Sequence, residues 1–154
     1  MKLKTLLLLY AFLLLASGCL CQTVSPVVQE CGGKKCSGQF TVTNNTLGAL
    51  MVSVEPLSFS LTSASKSVLR PLDAGITVRL SEMSARLSPK ESHIFEYHIQ
   101  CAALPCLVQF NSYMFVGHTT DGIAVRLALP EVVYYCQKEK NCRQSVRLAA
   151  GISN

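Results

Sequence analysis

From Phe40 to Leu129 the chain is written largely in period two. Phe40 and Val42 alternate with Thr41 and Thr43, then Leu50, Val52 and Val54 with Met51, Ser53 and Glu55. Ile76, Val78 and Leu80 alternate with Thr77, Arg79 and Ser81, and Phe95, Tyr97 and Ile99 with Glu96 and His98. Successive side chains of a strand point to opposite faces, so each run predicts a strand with one buried face. The stretch from Leu107 to Val116 is more evenly apolar and predicts a central strand covered on both faces. Turn-forming clusters at Asn44-Asn45, Glu55-Pro56, Asp73-Ala74-Gly75, Ser88-Pro89 and Asp121-Gly122 separate the runs. No stretch sustains a helical period. Short strands at this spacing predict an all-β sandwich.

The N-terminus follows a different pattern. Lys2 and Lys4 precede an almost wholly apolar stretch from Leu6 to Ala16, and the small residues Ala16, Ser17 and Gly18 lead into the polar segment at Gln22. This predicts an export signal over residues 1–21. A membrane-spanning helix needs about 20 apolar residues, more than this run supplies. Cleavage after Gly18 and after Cys21 both fit. Ala16-Ser17-Gly18-Cys19 also resembles a bacterial lipobox with Ala where Leu is usual. Read that way, Cys19 is a lipid-bearing first residue that anchors the mature protein.

An exported chain meets no glutathione pool, which gives the remaining six cysteines their meaning. They fall in three close pairs, Cys31 and Cys36, Cys101 and Cys106, Cys136 and Cys142. The spacing predicts local disulfides, each stiffening a turn or a strand end, because so short a loop removes little entropy from the unfolded chain. Zinc held by His98, Cys101, Cys106 and Cys136 would match no common structural zinc spacing, and neither metal nor cofactor is expected. The expected organisation is a signal at 1–21, a cysteine-containing segment at 22–38, one sandwich at 39–136 and a cysteine-containing tail at 137–154.

Charge and motifs narrow the function. The net charge of +5 falls to +3 without Lys2 and Lys4, and the remaining cations form no dense cluster, which argues against a nucleic-acid partner. No Gly-x-Ser-x-Gly elbow, His-Glu-x-x-His pair or phosphate-cradling glycine loop occurs. His93 and His98 differ in strand parity, as do Glu91 and Glu96, so neither pair shares a face, and His118 stands apart. An enzyme is not expected. Asn44-Asn45-Thr46 is a glycosylation sequon in a eukaryotic secretory route, and also a natural strand-ending turn.

Phe40-Thr41-Val42-Thr43-Asn44-Asn45-Thr46, Val52-Ser53-Val54-Glu55-Pro56 and Leu87-Ser88-Pro89-Lys90-Glu91-Ser92 resemble the second strand, the third strand and the segment before the fifth strand of PapD-like immunoglobulin domains. Gly122 to Pro130 is similar to the last strand of the N-terminal domain of periplasmic chaperones of the chaperone-usher pathway. The resemblance covers about Gln39 to Cys136 and implies an immunoglobulin-like (PapD-like) sandwich of seven to eight strands, located outside the cytoplasm. It implies a partner as well, another exported protein such as a pilus or surface subunit. In those chaperones, alternating bulky residues of the last strand, here Ile123, Val125, Leu127 and Leu129, fill the open groove of a subunit while main-chain bonds complete its sheet. The same alternation fits a strand that packs only on its own core, as in a structural, adhesive or lipid-anchored surface component. The family also holds the subunit's terminal carboxylate with two basic residues. Arg126 matches the position of one, whereas the first-strand partner has no arginine before Arg70 and only Lys34 or Lys35 nearby. Some relatives join their last two strands by a disulfide, which would pair Cys136 with Cys101 or Cys106.

Overall fold

The computed structural model describes residues 22–32, 34–61, 67–116 and 126–135. The expected export signal with Cys19, His118, the expected turn at Asp121-Gly122, Ile123, Val125, Cys136 and Cys142 lie outside them. The described residues form ten strands and no helix, in two sheets. One sheet has four strands in the order β1 (Thr23–Ser25), β3 (Lys35–Thr43), β8 (Ser92–Cys101) and β6 (Ile76–Leu80). The other runs β2 (Val28–Cys31), β10 (Arg126–Tyr135), β9 (Cys106–Val116) and β4 (Leu50–Leu61). Beyond β4, the short strands β5 (Ser67–Arg70) and β7 (Ser84–Leu87) share its far edge.

The strand count exceeds the expected seven to eight for two reasons. The first strand is divided at the cis peptide Ser25-Pro26 into β1 in one sheet and β2 in the other, and β5 and β7 split one edge between them. The stretch before Gln39 therefore belongs to the sandwich.

The alternating apolar positions meet between the sheets. Phe40 and Phe95 are direct cross-strand partners on the four-stranded sheet. Phe40 stacks on Phe95 and on Phe110 of the opposite sheet, both at 5.4 Å between ring centroids, and Tyr97 lies 5.1 Å from Phe110. Val42, Val52, Leu87 and Val108 are fully buried around them. Each such side chain contributes about 1.5–3 kcal/mol through removal from water.

Two expectations need correction. Glu55-Pro56 is not a turn but lies inside β4, opposite Asn111 and Phe110. The N–H of Val54 donates to Met83 O on the β7 side, so the equivalent position of Pro56, two residues on, faces the gap between β7 and β5. A missing donor costs nothing there. β9 is central in its sheet, but the face turned away from the core is polar and partly buried rather than apolar. Val108, Phe110, Ser112 and Met114 point inward, while Gln109, Asn111 and Tyr113 form a polar ladder outside. Gln109 Nε2 donates to Asn111 Oδ1 at 2.6 Å and Asn111 Nδ2 to Tyr113 Oη at 3.3 Å.

Disulfides join Cys31 to Cys36 and Cys101 to Cys106. Each does more than stiffen a turn. Cys31 ends β2 of the six-stranded sheet while Cys36 lies on β3 of the other, and Cys101 ends β8 where the chain crosses to Cys106 at the start of β9. Both bridges thus tie the two sheets together at one end of the sandwich. With Cys101 and Cys106 bonded to each other, neither is free for zinc or for Cys136.

Candidate functional site

β10 is the strand on which the site is built. Its register against β9 is unbroken from Arg126 opposite Phe115 to Tyr135 opposite Cys106. On its other side β2 pairs with it in parallel over Val132–Tyr135 only. Among the described residues, no strand pairs with Arg126 to Glu131 on that side, although β1 lies close to β10.

The direction of each peptide group follows from one bond. Val132 N–H donates to Val27 O at 2.9 Å, so Val132 directs its backbone groups toward β2. Backbone groups alternate sides along a strand, and Pro130, Ala128 and Arg126 therefore face the open edge, whereas Glu131, Leu129 and Leu127 bond to β9. The edge offers donors at Arg126 and Ala128 and a carbonyl at each of the three positions. Pro130 sits where its missing N–H breaks no ladder bond and limits unwanted pairing.

Side chains follow the same parity. Val133 is in the core, Leu129 is half-buried against it, and Leu127 is 39% exposed at the mouth of the sandwich although its cross-strand neighbour Met114 is buried.

Glu131 breaks the apolar face. Its parity turns it inward with Leu129 and Val133, and it is fully buried. Gln29 Nε2 on β2 donates to Glu131 Oε1 at 3.0 Å and to Gln39 O at 2.6 Å, and the Tyr97 hydroxyl donates to Gln29 Oε1 at 2.7 Å. Glu131 Oε2 and the neighbouring Ser112 Oγ find no hydrogen-bond partner. Burial raises the Glu131 carboxyl to about 8, with the Gln29 bond pulling weakly the other way. At neutral pH it is held as the acid. Gly38, opposite Tyr97, makes room for this network. A methyl there would run into the Tyr97 hydroxyl and lie 2.8 Å from Gln29 Oε1. Gln29 thus holds β2 against half of the β10 edge by a tie that reaches both sheets.

The fold is similar to that of several solved structures. The class 5 fimbriae chaperone CfaA superposes with a TM-score of 0.56 at 10% identity, covering 77% of this chain and 57% of its own. A chain in the complex of the Salmonella enterica SafA pilin with the SafB chaperone gives 0.56 at 8% identity, covering 80% and 57%. SSP-19, an MSP-domain protein like family member in Caenorhabditis elegans, gives 0.52 at 10% identity, covering 75% of this chain and 99% of its own. The chain has a PapD-like immunoglobulin fold. It spans a little over half the length of the first two chains. No family model matches the sequence, and no curated protein is significantly similar to it.

Among the described residues β10 is the last strand. Of the residues expected to face a partner, Leu127 and Leu129 fall on it, as does the backbone of Arg126, while Ile123 and Val125 precede the described part. Lys35, considered as a second cation beside Arg126, lies on the outer face of the four-stranded sheet, away from β10. The network of Glu131, Gln29, Tyr97 and Gly38 was not anticipated. Its traces in the sequence are an acid at an apolar-parity position of β10 and a glycine inside a strand.

Proposed function

We propose that this chain is an exported protein-binding domain that engages another exported protein through the uncovered edge of β10. The observation that carries this reading is the half-covered last strand, with β2 stopping at Val132 and the backbone of Arg126, Ala128 and Pro130 turned outward. Strand addition draws affinity from main-chain bonds and specificity from alternate side chains, and Leu127 is the exposed apolar one beside that edge. The fold shared with SafB and CfaA, chaperones by name, and the two inter-sheet disulfides support a chaperone-like role outside the cytoplasm, with a pilus or surface subunit as partner. Ile123, Val125 and Leu129 extend the contact, Arg126 is its carboxylate anchor, and no catalytic step is involved.

A second reading rests on Leu129 and Val133, which pack on the domain's own core. There β10 only completes its sheet, and the protein is a structural or adhesive surface component. A photo-reactive amino acid placed at Leu127 of the full exported chain separates the two, with Val68 on β5, 48% exposed, as control. Chaperone-like binding is expected to give an adduct with a different exported protein at 127 and not at 68. An adduct with a second copy of the chain favours the surface component. Equal labelling at both positions, or none at 127, overturns the edge proposal.

A further inference from the structure

The outer face of the four-stranded sheet, opposite in direction from the core, carries a concave site of another chemistry. Ser37, His98 and Arg79 stand side by side across β3, β8 and β6, and Lys35, Gln100 and Thr77 form the adjacent row. Neighbouring strands are about 4.8 Å apart and same-face residues about 7 Å along a strand, so the six side chains occupy a patch of about 10 by 7 Å. They surround a cavity of about 520 Å³ whose lining includes no carboxylate. Glu96, the next residue of that face along β8, does not line it. Ser37 Oγ and His98 Nδ1 are hydrogen-bonded at 2.6 Å, which fixes the imidazole ring in the middle of its row.

We infer that this cavity binds a tetrahedral oxyanion, a phosphate or sulfate group. Arg79 brings a planar fork of donors, Lys35 three, and His98, Gln100 and the two hydroxyls add more from three strands. That is more than the two oxygens of a carboxylate accept and suits the four oxygens of a tetrahedral anion, which Arg and Lys recognise by charge-assisted bonds. No Phe, Tyr or Trp side chain lines the cavity, and the one ring there, the His98 imidazole, is tied to Ser37. The site is also preorganised. Lys35 precedes Cys36 and Gln100 precedes Cys101, so both inter-sheet disulfides hold the row to which these residues belong.

Calorimetric titration of the full, oxidised chain at low ionic strength with inorganic phosphate, inorganic sulfate, phosphoserine and acetate tests this. Phosphate or sulfate is expected to bind at one site and acetate at least about tenfold more weakly. Tighter binding of phosphoserine than of inorganic phosphate assigns the ligand to an ester, and the reverse to the free ion. Lys35→Gln and Arg79→Gln are each expected to weaken binding about tenfold, with circular dichroism unchanged because both positions face solvent. Arg86→Gln and Lys90→Gln, each removing one positive charge elsewhere, are expected to leave affinity within about twofold. Absence of saturable binding, equal binding of acetate, or an equal loss in these controls overturns the inference.

Discussion

Replacing Glu131 with Gln is expected to remove most of the fall in stability between pH 5 and pH 9. In the folded chain the carboxyl titrates near 8, against an ordinary value of 4.5, because ionising it would leave a charge buried between the sheets. Between these two values the native state holds a proton that the unfolded chain has lost, so unfolding free energy decreases as pH rises. The stabilisation is complete below about pH 4.5, declines through neutrality and is lost once the pH exceeds 8. Over pH 5 to 9 the difference is on the order of 4 kcal/mol, enough to move the melting temperature of a domain this size by roughly 10–15 °C. Asp73, held low by its bond to Arg70, and Glu91, held low by the Ser88 backbone N–H, titrate below this window and do not offset it. Glu131→Gln keeps an acceptor for Gln29 and carries no charge. Thermal unfolding of both proteins across this range is expected to show curves that nearly coincide at pH 5, diverge steadily from there to about pH 8 and run parallel above it, with the variant more stable. Curves parallel over the whole range would mean that Glu131 is hydrated in the folded state.

Asn44→Ala is expected to cost about 3–4 kcal/mol, although the residue looks like an ordinary turn asparagine. Asn44 is fully buried. Its amide nitrogen donates to Gly48 O at 2.8 Å and Ser88 O at 2.9 Å, with Leu87 O at 3.3 Å, and its Oδ1 accepts from Thr46 N–H at 3.0 Å and the Thr46 hydroxyl at 2.6 Å. Its backbone bonds to Glu91 and Lys90 complete the junction of the β3 and β7 ends. Truncation leaves several buried groups unpaired at about 1 kcal/mol or more each. Asn44→Asp, nearly isosteric, is expected to be at least as damaging, because it points a second oxygen at three carbonyls. Denaturant unfolding measures both. A loss below 1 kcal/mol for Ala, or a well-tolerated Asp, would show that the junction holds without the amide. In the folded domain the Asn44-Asn45-Thr46 sequon therefore serves the turn, its amide being inaccessible to a glycan.

The sandwich was legible because burial follows parity almost everywhere. Phe40, Val52, Phe95 and Phe110 all sit inside, where period two places them. Three things escaped that rule. Pro56 punctuates turns in most contexts, and only the gap between β5 and β7 lets it remain in a strand. On β9 the outer residues Gln109, Asn111 and Tyr113 are partly buried by bonding to one another along the strand, which a run of mixed residues does not encode. Glu131 was hidden by expectation, since an acid within Leu129 to Val133 reads as surface until Gln29 and Tyr97 arrive from β2 and β8. The open edge depends on where β2 ends against β10, a long-range pairing over roughly one hundred residues that local pattern does not carry.

The most direct measurement on the edge of β10 is Ala128→Pro. If Ala128 directs its N–H away from β9, proline there removes an edge donor and no ladder bond, as Pro130 already does two residues on. The variant is expected to keep its melting temperature within a few degrees and to lose capture of the exported partner identified by cross-linking at 127. A variant that unfolds would place that N–H against β9, and a folded variant that captures its partner undiminished would contradict binding by strand addition at this edge.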